Sequence, residues 1–227
     1  MSEQYGWHWL PDNRCLANED GRTVVVGETL RVEPPLAMCN HGLHWCKRPI
    51  DALQYAPGVL VCYVRAGGET LEEGDKCCSV ERTVIAMADA TALLHEFACW
   101  CAENALRAAN VTDQRCWNAI EVKRRWLRKD ATDEELDAAR AAAWAAAGAA
   151  GAAAWAAAWA AAGAAGAAAW DAAGDAAWAA TGTAARAAAW DAARAAWAVA
   201  RAVARAAQNT ELERRLRELL GMEEAKP

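Results

Sequence analysis

Hydrophobic positions along this chain change period at about residue 89. Before it, apolar residues come in short β-branched and aromatic runs bounded by Pro and Gly, the pattern of strands. The runs are YGWHWL (5–10), RTVVVG (22–27), HGLHWC (41–46), GVLVCYVRAG (58–67) and SVERTVIAMA (79–88). Between the third and fourth, Arg48-Pro49 leads into IDALQYA, a short helix with proline at a permitted first-turn position. From residue 89 the spacing is helical. Asp89 can cap a helix over 90–109, in which Leu93, Phe97, Trp100 and Cys101 share a face. Thr112 or Asp113 can cap QRCWNAIEVKRRWLRK, and Thr132 with Glu135 forms a capping box that opens a third helix. At the far end Thr210 can cap a helix striped by Leu212, Leu216 and Leu219 or Leu220 and stopped by Gly221.

Between these last two elements the pattern is a repeat. AAAWAAAGAAGAAAW fills 141–155 and recurs letter for letter at 156–170. Alanine loses no side-chain entropy in a helix, so this composition favours helix and nothing else. At about 100° per residue, Trp144, Gly148, Gly151 and Trp155 fall within a sector of ~60°, and Trp159, Gly163, Gly166 and Trp170 do the same. One face therefore carries indole knobs beside glycine notches. A partner helix can set a Trp ring over a notch, so these eight residues are the expected self-association surface. Fifteen residues over four turns is about 3.75 per turn, which predicts a gentle right-handed coil. Thr181-Gly182-Thr183 is the expected break, so the array is a long helical hairpin or rod, the hairpin being favoured.

The fold class that follows is α+β. A small α/β domain covers 1–88, connecting helices 89–130, the Ala/Trp/Gly array 131–208, and an amphipathic helix with a tail 209–227. Net charge is −6, which disfavours nonspecific binding to DNA. Residues 141–170 carry no charge, yet alanine is barely apolar, the Trp do not gather at two ends and no basic cluster flanks the run, so no membrane span is expected. MSEQYGWHWLPDNR has no apolar signal core, and nine cysteines at irregular spacings are expected as reduced thiols in a bacterial cytoplasm.

Candidate chemistry is sparse. Cys39, His41, His44 and Cys46 offer four zinc-ligand types in eight residues, but C-x-H-x-x-H-x-C is not a finger spacing. The expectation is a strand with a buried Cys and no metal. Lys123, Arg124, Arg125, Arg128 and Lys129 beside Trp117 and Trp126 could meet phosphates and a base; the plainer reading is a solvated helix face. No P-loop, G-x-S-x-G or H-E-x-x-H occurs. A small-molecule site is expected on the N-terminal domain around His8, His44, Trp45 and Tyr55, with Arg48 available to an anion, because aromatic faces and a cation suit a nucleotide-like ligand.

Three segments carry resemblances. GLHWC with its following helix and strand, CAENALRAANVTDQRCWNAIEVKRRWLRKDATDEELDAARAAAW, and the array closing on AQNTELERRL together resemble uncharacterised bacteriophage and prophage proteins. The central segment is also similar to an Ala-rich helical family of immunity proteins. GLHWCKRPIDALQYAPGVLVCYVRAGG looks like the middle of the ADP-ribosyltransferase fold. That resemblance implies NAD as substrate, His8 on the first strand, His44 or Trp45 and Tyr55 around nicotinamide, and Glu81 as the late acid. Trp9 stands where that family has Gly after the first-strand residue. The favoured expectation is a non-enzymatic phage-type accessory protein. It would need no cofactor, would self-associate through the array, and would bind a nucleotide-derived small molecule or a host protein, antagonising host defence. The alternatives are an ADP-ribosyltransferase-like enzyme and a structural or membrane-associated helical protein.

Overall fold

The computed structural model describes residues 3–16, 20–146, 148 and 201–222. They fall into two compact units: residues up to Phe97 together with those from Arg205 onward, and Ala98–Ala204. The architecture is α+β.

In the first unit the chain runs β1 (Gln4–Leu10), β2 (Thr29–Arg31), β3 (Leu43–Trp45), α1 (Pro49–Ala52), a 3-10 turn (Leu53–Tyr55), β4 (Leu60–Glu73), β5 (Lys76–Asp89) and α2 (Thr91–Ala108). All pairings are antiparallel, in the order β1-β4-β5-β2, with β3 also on β5. The β4–β5 hairpin turns on Gly74-Asp75, between the paired Glu73 and Lys76. Gly74 sits at φ +61°, a conformation that glycine supplies at the first turn position without steric cost. Bulges in β4–β5 between Tyr63 and Val64 and between Gly67 and Thr70 increase the local bend.

The sheet then closes on itself. β3 pairs with β5, β5 with β4, β4 with β1, and Trp7 of β1 exchanges two backbone hydrogen bonds with Cys46, the residue after β3, at 2.8 and 2.9 Å. Gly6 makes this approach possible. A methyl group there would overlap the Trp45 ring and the Cys46 carbonyl oxygen. Leu10, Val24, Trp45, Cys62, Val64, Ala66, Cys77 and Val84 form the core inside the ring.

On β1 the alternate residues Tyr5, Trp7 and Trp9 oppose Arg65, Tyr63 and Val61 on the other sheet face. That face meets the C-terminal helix α5, which is described over 201–219. Leu212 and Leu216 are fully buried. The Arg217 guanidinium lies 5.9 Å from the Trp7 ring and 5.4 Å from Tyr63. Arg205 pairs with buried Asp51 of α1 at 2.8 Å, and Asn209 Oδ1 accepts the Ile50 amide at 3.3 Å.

Two local expectations are corrected. RTVVVG (22–27) is not a strand: Thr23 makes one bridge to Cys15, and a turn follows, with the Glu28 amide donating to the Val25 carbonyl at 3.2 Å. Successive residues of a strand point to opposite faces, but here Val24 is buried while Val25 and Val26 are both exposed. Pairing begins after Gly27, where the Thr29 and Thr83 hydroxyls meet at 2.7 Å. Thr210 is not a cap. The alanine-rich residues before it hold the helix through that position, and its hydroxyl donates to the Ala206 carbonyl at 3.2 Å. The stop at Gly221, φ +65°, is where the pattern places it.

The second unit contains the rest of α2, α3 (Gln114–Leu127) and α4 (133–146). Asp113 caps α3 by accepting the Arg115 amide at 2.9 Å. The capping box is reciprocal: the Thr132 amide donates to Glu135 at 2.8 Å, and the Glu135 amide to the Thr132 hydroxyl at 3.2 Å. Val122, Leu136 and Ala139 make its core, with Ala119, Trp126 and Ala131 against them. Of the expected association surface, Trp144 is 80% exposed and Gly148 is helical with open space around it. Gly151, Trp155, Trp159, Gly163, Gly166, Trp170 and the break at Thr181–Thr183 lie outside the described residues. Among the described residues no helix is long and apolar enough to cross a membrane.

Candidate functional site

A cavity of about 570 Å³ opens into the first unit where β1, β3 and the 3-10 turn meet. His8, His44, Trp45 and Tyr55 all line it. Strand alternation puts His8 on the inner face of β1, opposite Cys62. His44 and Trp45 come from β3, and Tyr55 from the turn that ends the Pro49 helix. Arg48 is not among the lining residues; its guanidinium lies 3.6 Å from Asp51.

The cations at the cavity are Arg82 and Lys76, neither of which the sequence pattern singled out. Arg82 is 1% exposed. β5 carries it inward because it opposes Ala66 of β4 and Leu30 of β2 in the core register. One terminal nitrogen donates to the His44 carbonyl oxygen; Nε and the other terminal nitrogen have no acceptor among the described residues. The Trp45 indole N–H is also buried without an acceptor. Lys76 sits at the rim, 4.5 Å from the centre of the Tyr55 ring, and donates to Cys39 Sγ at 3.4 Å. Asp75 accepts from the Tyr55 hydroxyl at 3.0 Å.

Burial and, next, the Arg82 charge hold His8 well below the usual imidazole range. The same two causes lower His44, whose Nε2 accepts the Cys39 amide at 2.9 Å. Burial pushes the Cys46 and Cys62 thiols up to about 12 and brings Arg82 down to about 10. The histidine shifts set a pH dependence. The unfolded chain protonates His8 near pH 6.5 and the folded chain does not, so stability present above that pH is lost as pH falls below it. The loss approaches about 1.4 kcal/mol per pH unit. Urea unfolding between pH 7.5 and 5.5 is expected to show a shallower slope in His8→Asn; equal slopes would mean that His8 titrates normally when folded.

Cys39, His41, His44 and Cys46 do not converge. Cys39 faces Lys76, His41 Nε2 lies 2.6 Å from the Glu33 carbonyl oxygen, and Cys46 is buried behind β1. Among the described residues no three His, Cys, Asp or Glu side chains are grouped to hold a metal ion. Glu81, the late acid of the transferase resemblance, is not a lining residue and accepts from Arg31 at 2.9 Å. In the second unit the basic run is ion-paired: Arg124 with Glu103, Arg125 with Glu135 at 3.4 Å, and Arg128 with Glu121 at 3.7 Å and Asp130 at 3.3 Å. Lys123 lies over the Trp126 ring at 3.8 Å. The three arginines of the run are thus each paired with a carboxylate within this unit.

Residues 18–96 match a domain of unknown function, DUF7666. Neither the comparison with curated proteins nor that with solved structures returns a match. The matched segment supplies His44, Trp45, Tyr55, Lys76 and Arg82, while His8 comes from the strand before it. The sequence carries no local signal for Arg82, one of two charged residues side by side in SVERTVIAMA. Strands of this pattern carry charge outward as a rule, so only the register shows it to be buried.

Proposed function

We propose that the first unit is a small-molecule-binding module that takes a nucleotide-like ligand into its cavity. The chain then acts by binding and assembly, as a phage-type accessory protein that sequesters a ligand or engages a host defence protein in the bacterial cytoplasm. The observation that carries this reading is the cavity itself: it is large enough for a drug-sized ligand, and His8, His44, Trp45 and Tyr55 meet on its wall. The engagement of Glu81 by Arg31 favours binding over NAD turnover. The exposed Trp144 stands at the start of a sequence repeat that sets further Trp at helical spacing, and that pattern supports self-association.

The test is calorimetry with AMP, NAD and cyclic dinucleotides on the full chain. At least one is expected to bind saturably, and the double variant His44→Ala, Tyr55→Ala is expected to weaken it by about tenfold or more, as loss of two desolvated contacts does. Oligomer size in light scattering should not change in that variant. Release of nicotinamide from NAD would replace this reading with the transferase one.

A further inference from the structure

Arg82 is the least explained charge in the first unit. A guanidinium 1% exposed normally faces a carboxylate, since a buried, unpaired cation is strongly unfavourable. Here its one partner among the described residues is a neutral carbonyl, that of His44. Nearby charges offset it only in part: Asp20 attracts it, Arg22 repels it, and neither hydrogen-bonds to it. Asp20, also on the cavity wall, is held by Arg22 through contacts of 2.6 and 2.7 Å. His8 and His44 are neutral at pH 7, and the Cys62 thiol beside Arg82 stays protonated. What remains is a set of four donors without acceptors, all on residues that line one cavity: two guanidinium nitrogens and the indole N–H groups of Trp45, in the inner core, and Trp9, on the other face of β1.

We infer that Arg82 is an anion receptor, and that the cavity takes a ligand bearing a phosphate or carboxylate group that enters first and docks against its free guanidinium edge with help from the Trp45 N–H. The anion supplies the missing counter-charge, and a planar fork of donors fits a tetrahedral or planar oxyanion through two bonds. The rest of the ligand then lies toward the rim, where Tyr55 and Lys76 stand. This inference rests on the cavity being a ligand site; it adds the chemical class and the direction of entry.

The experiment compares three probes on the full chain: inorganic phosphate, AMP and neutral adenosine. Phosphate is expected to raise the melting temperature above chloride at equal ionic strength, and AMP to bind about tenfold to a hundredfold more tightly than adenosine, the usual scale of charge-assisted bonds. Arg82→Met is expected to lose both effects while melting no lower than wild type without ligand, because it removes a buried unpaired charge. Arg82→Lys keeps the charge but loses the fork, and is expected to retain a weakened phosphate response.

Equal binding of AMP and adenosine overturns the inference but leaves a nucleotide-binding cavity. A response to phosphate that depends on Arg82, with neither nucleoside probe bound, upholds the inference and overturns the nucleotide reading. If phosphate does no more than chloride, or if both Arg82 variants respond like wild type, Arg82 is no receptor. An Arg82→Met chain that is destabilised without ligand would mean that the arginine has a counter-ion within the protein, and would also overturn the proposal.

Discussion

Trp45→Ala is expected to destabilise the first unit by about 3–5 kcal/mol, the range for deleting a fully buried aromatic ring. The ring is 2% exposed and stands at the centre of the inner core, against the backbone of Gly6. Its removal leaves a cavity beside the Trp7–Cys46 bridge, the pairing that closes the sheet. The wall of the ligand cavity is lost with it. Gly6→Ala attacks the same contact from the opposite strand, with an expected cost of about 1–3 kcal/mol from overpacking. Urea unfolding followed by far-UV circular dichroism measures both. A loss under about 1 kcal/mol for Trp45→Ala would mean that closure does not depend on this ring.

Leu216→Ala is expected to cost about 2–5 kcal/mol and to do so in the same unfolding transition as Trp45→Ala. Leu212 and Leu216 are both fully buried, a helical turn apart on α5. The same helix places Arg217 over Trp7 and Tyr63 and ties Arg205 to buried Asp51. The outer face of the sheet therefore depends on a segment more than a hundred residues away in sequence. Single-residue exposure agrees: Trp7 and Trp9 are 1% and 2% exposed, which two indoles on a strand reach only under a covering element. If Leu216→Ala melts a separate, weaker transition and leaves the strands intact, α5 is an appendage and not part of the unit.

The caps were legible because they are local. Asp89, Asp113 and the Thr132–Glu135 box act on amides two or three residues away, and each makes the bond its spacing implies. Thr210 shows the limit of the same logic. Its side chain fits a cap, but a cap forms only where the upstream chain leaves the helix, and alanine gives it no reason to leave. RTVVVG failed for a related reason. β-propensity reports how well a residue suits a half-buried pleat, and that surface existed at Thr29–Arg31 instead.

The sequence by itself determined the α+β class, four of the five strand sites, the helix starts at Pro49, Asp89, Asp113 and Thr132, and the stop at Gly221, because period, caps and turn residues act within a few positions. It also singled out His8, His44, Trp45 and Tyr55, since imidazole and aromatic faces are the side chains that suit a nucleotide-like ligand. Tertiary structure alone decided that those four share one cavity, that Arg48 turns to Asp51, that Arg82 is buried, and that α5 completes the sheet. Each of these depends on strand register or on long-range docking. A shift of one residue in register reverses every side chain on a strand, and no local pattern in the chain fixes which partner a strand or helix will meet.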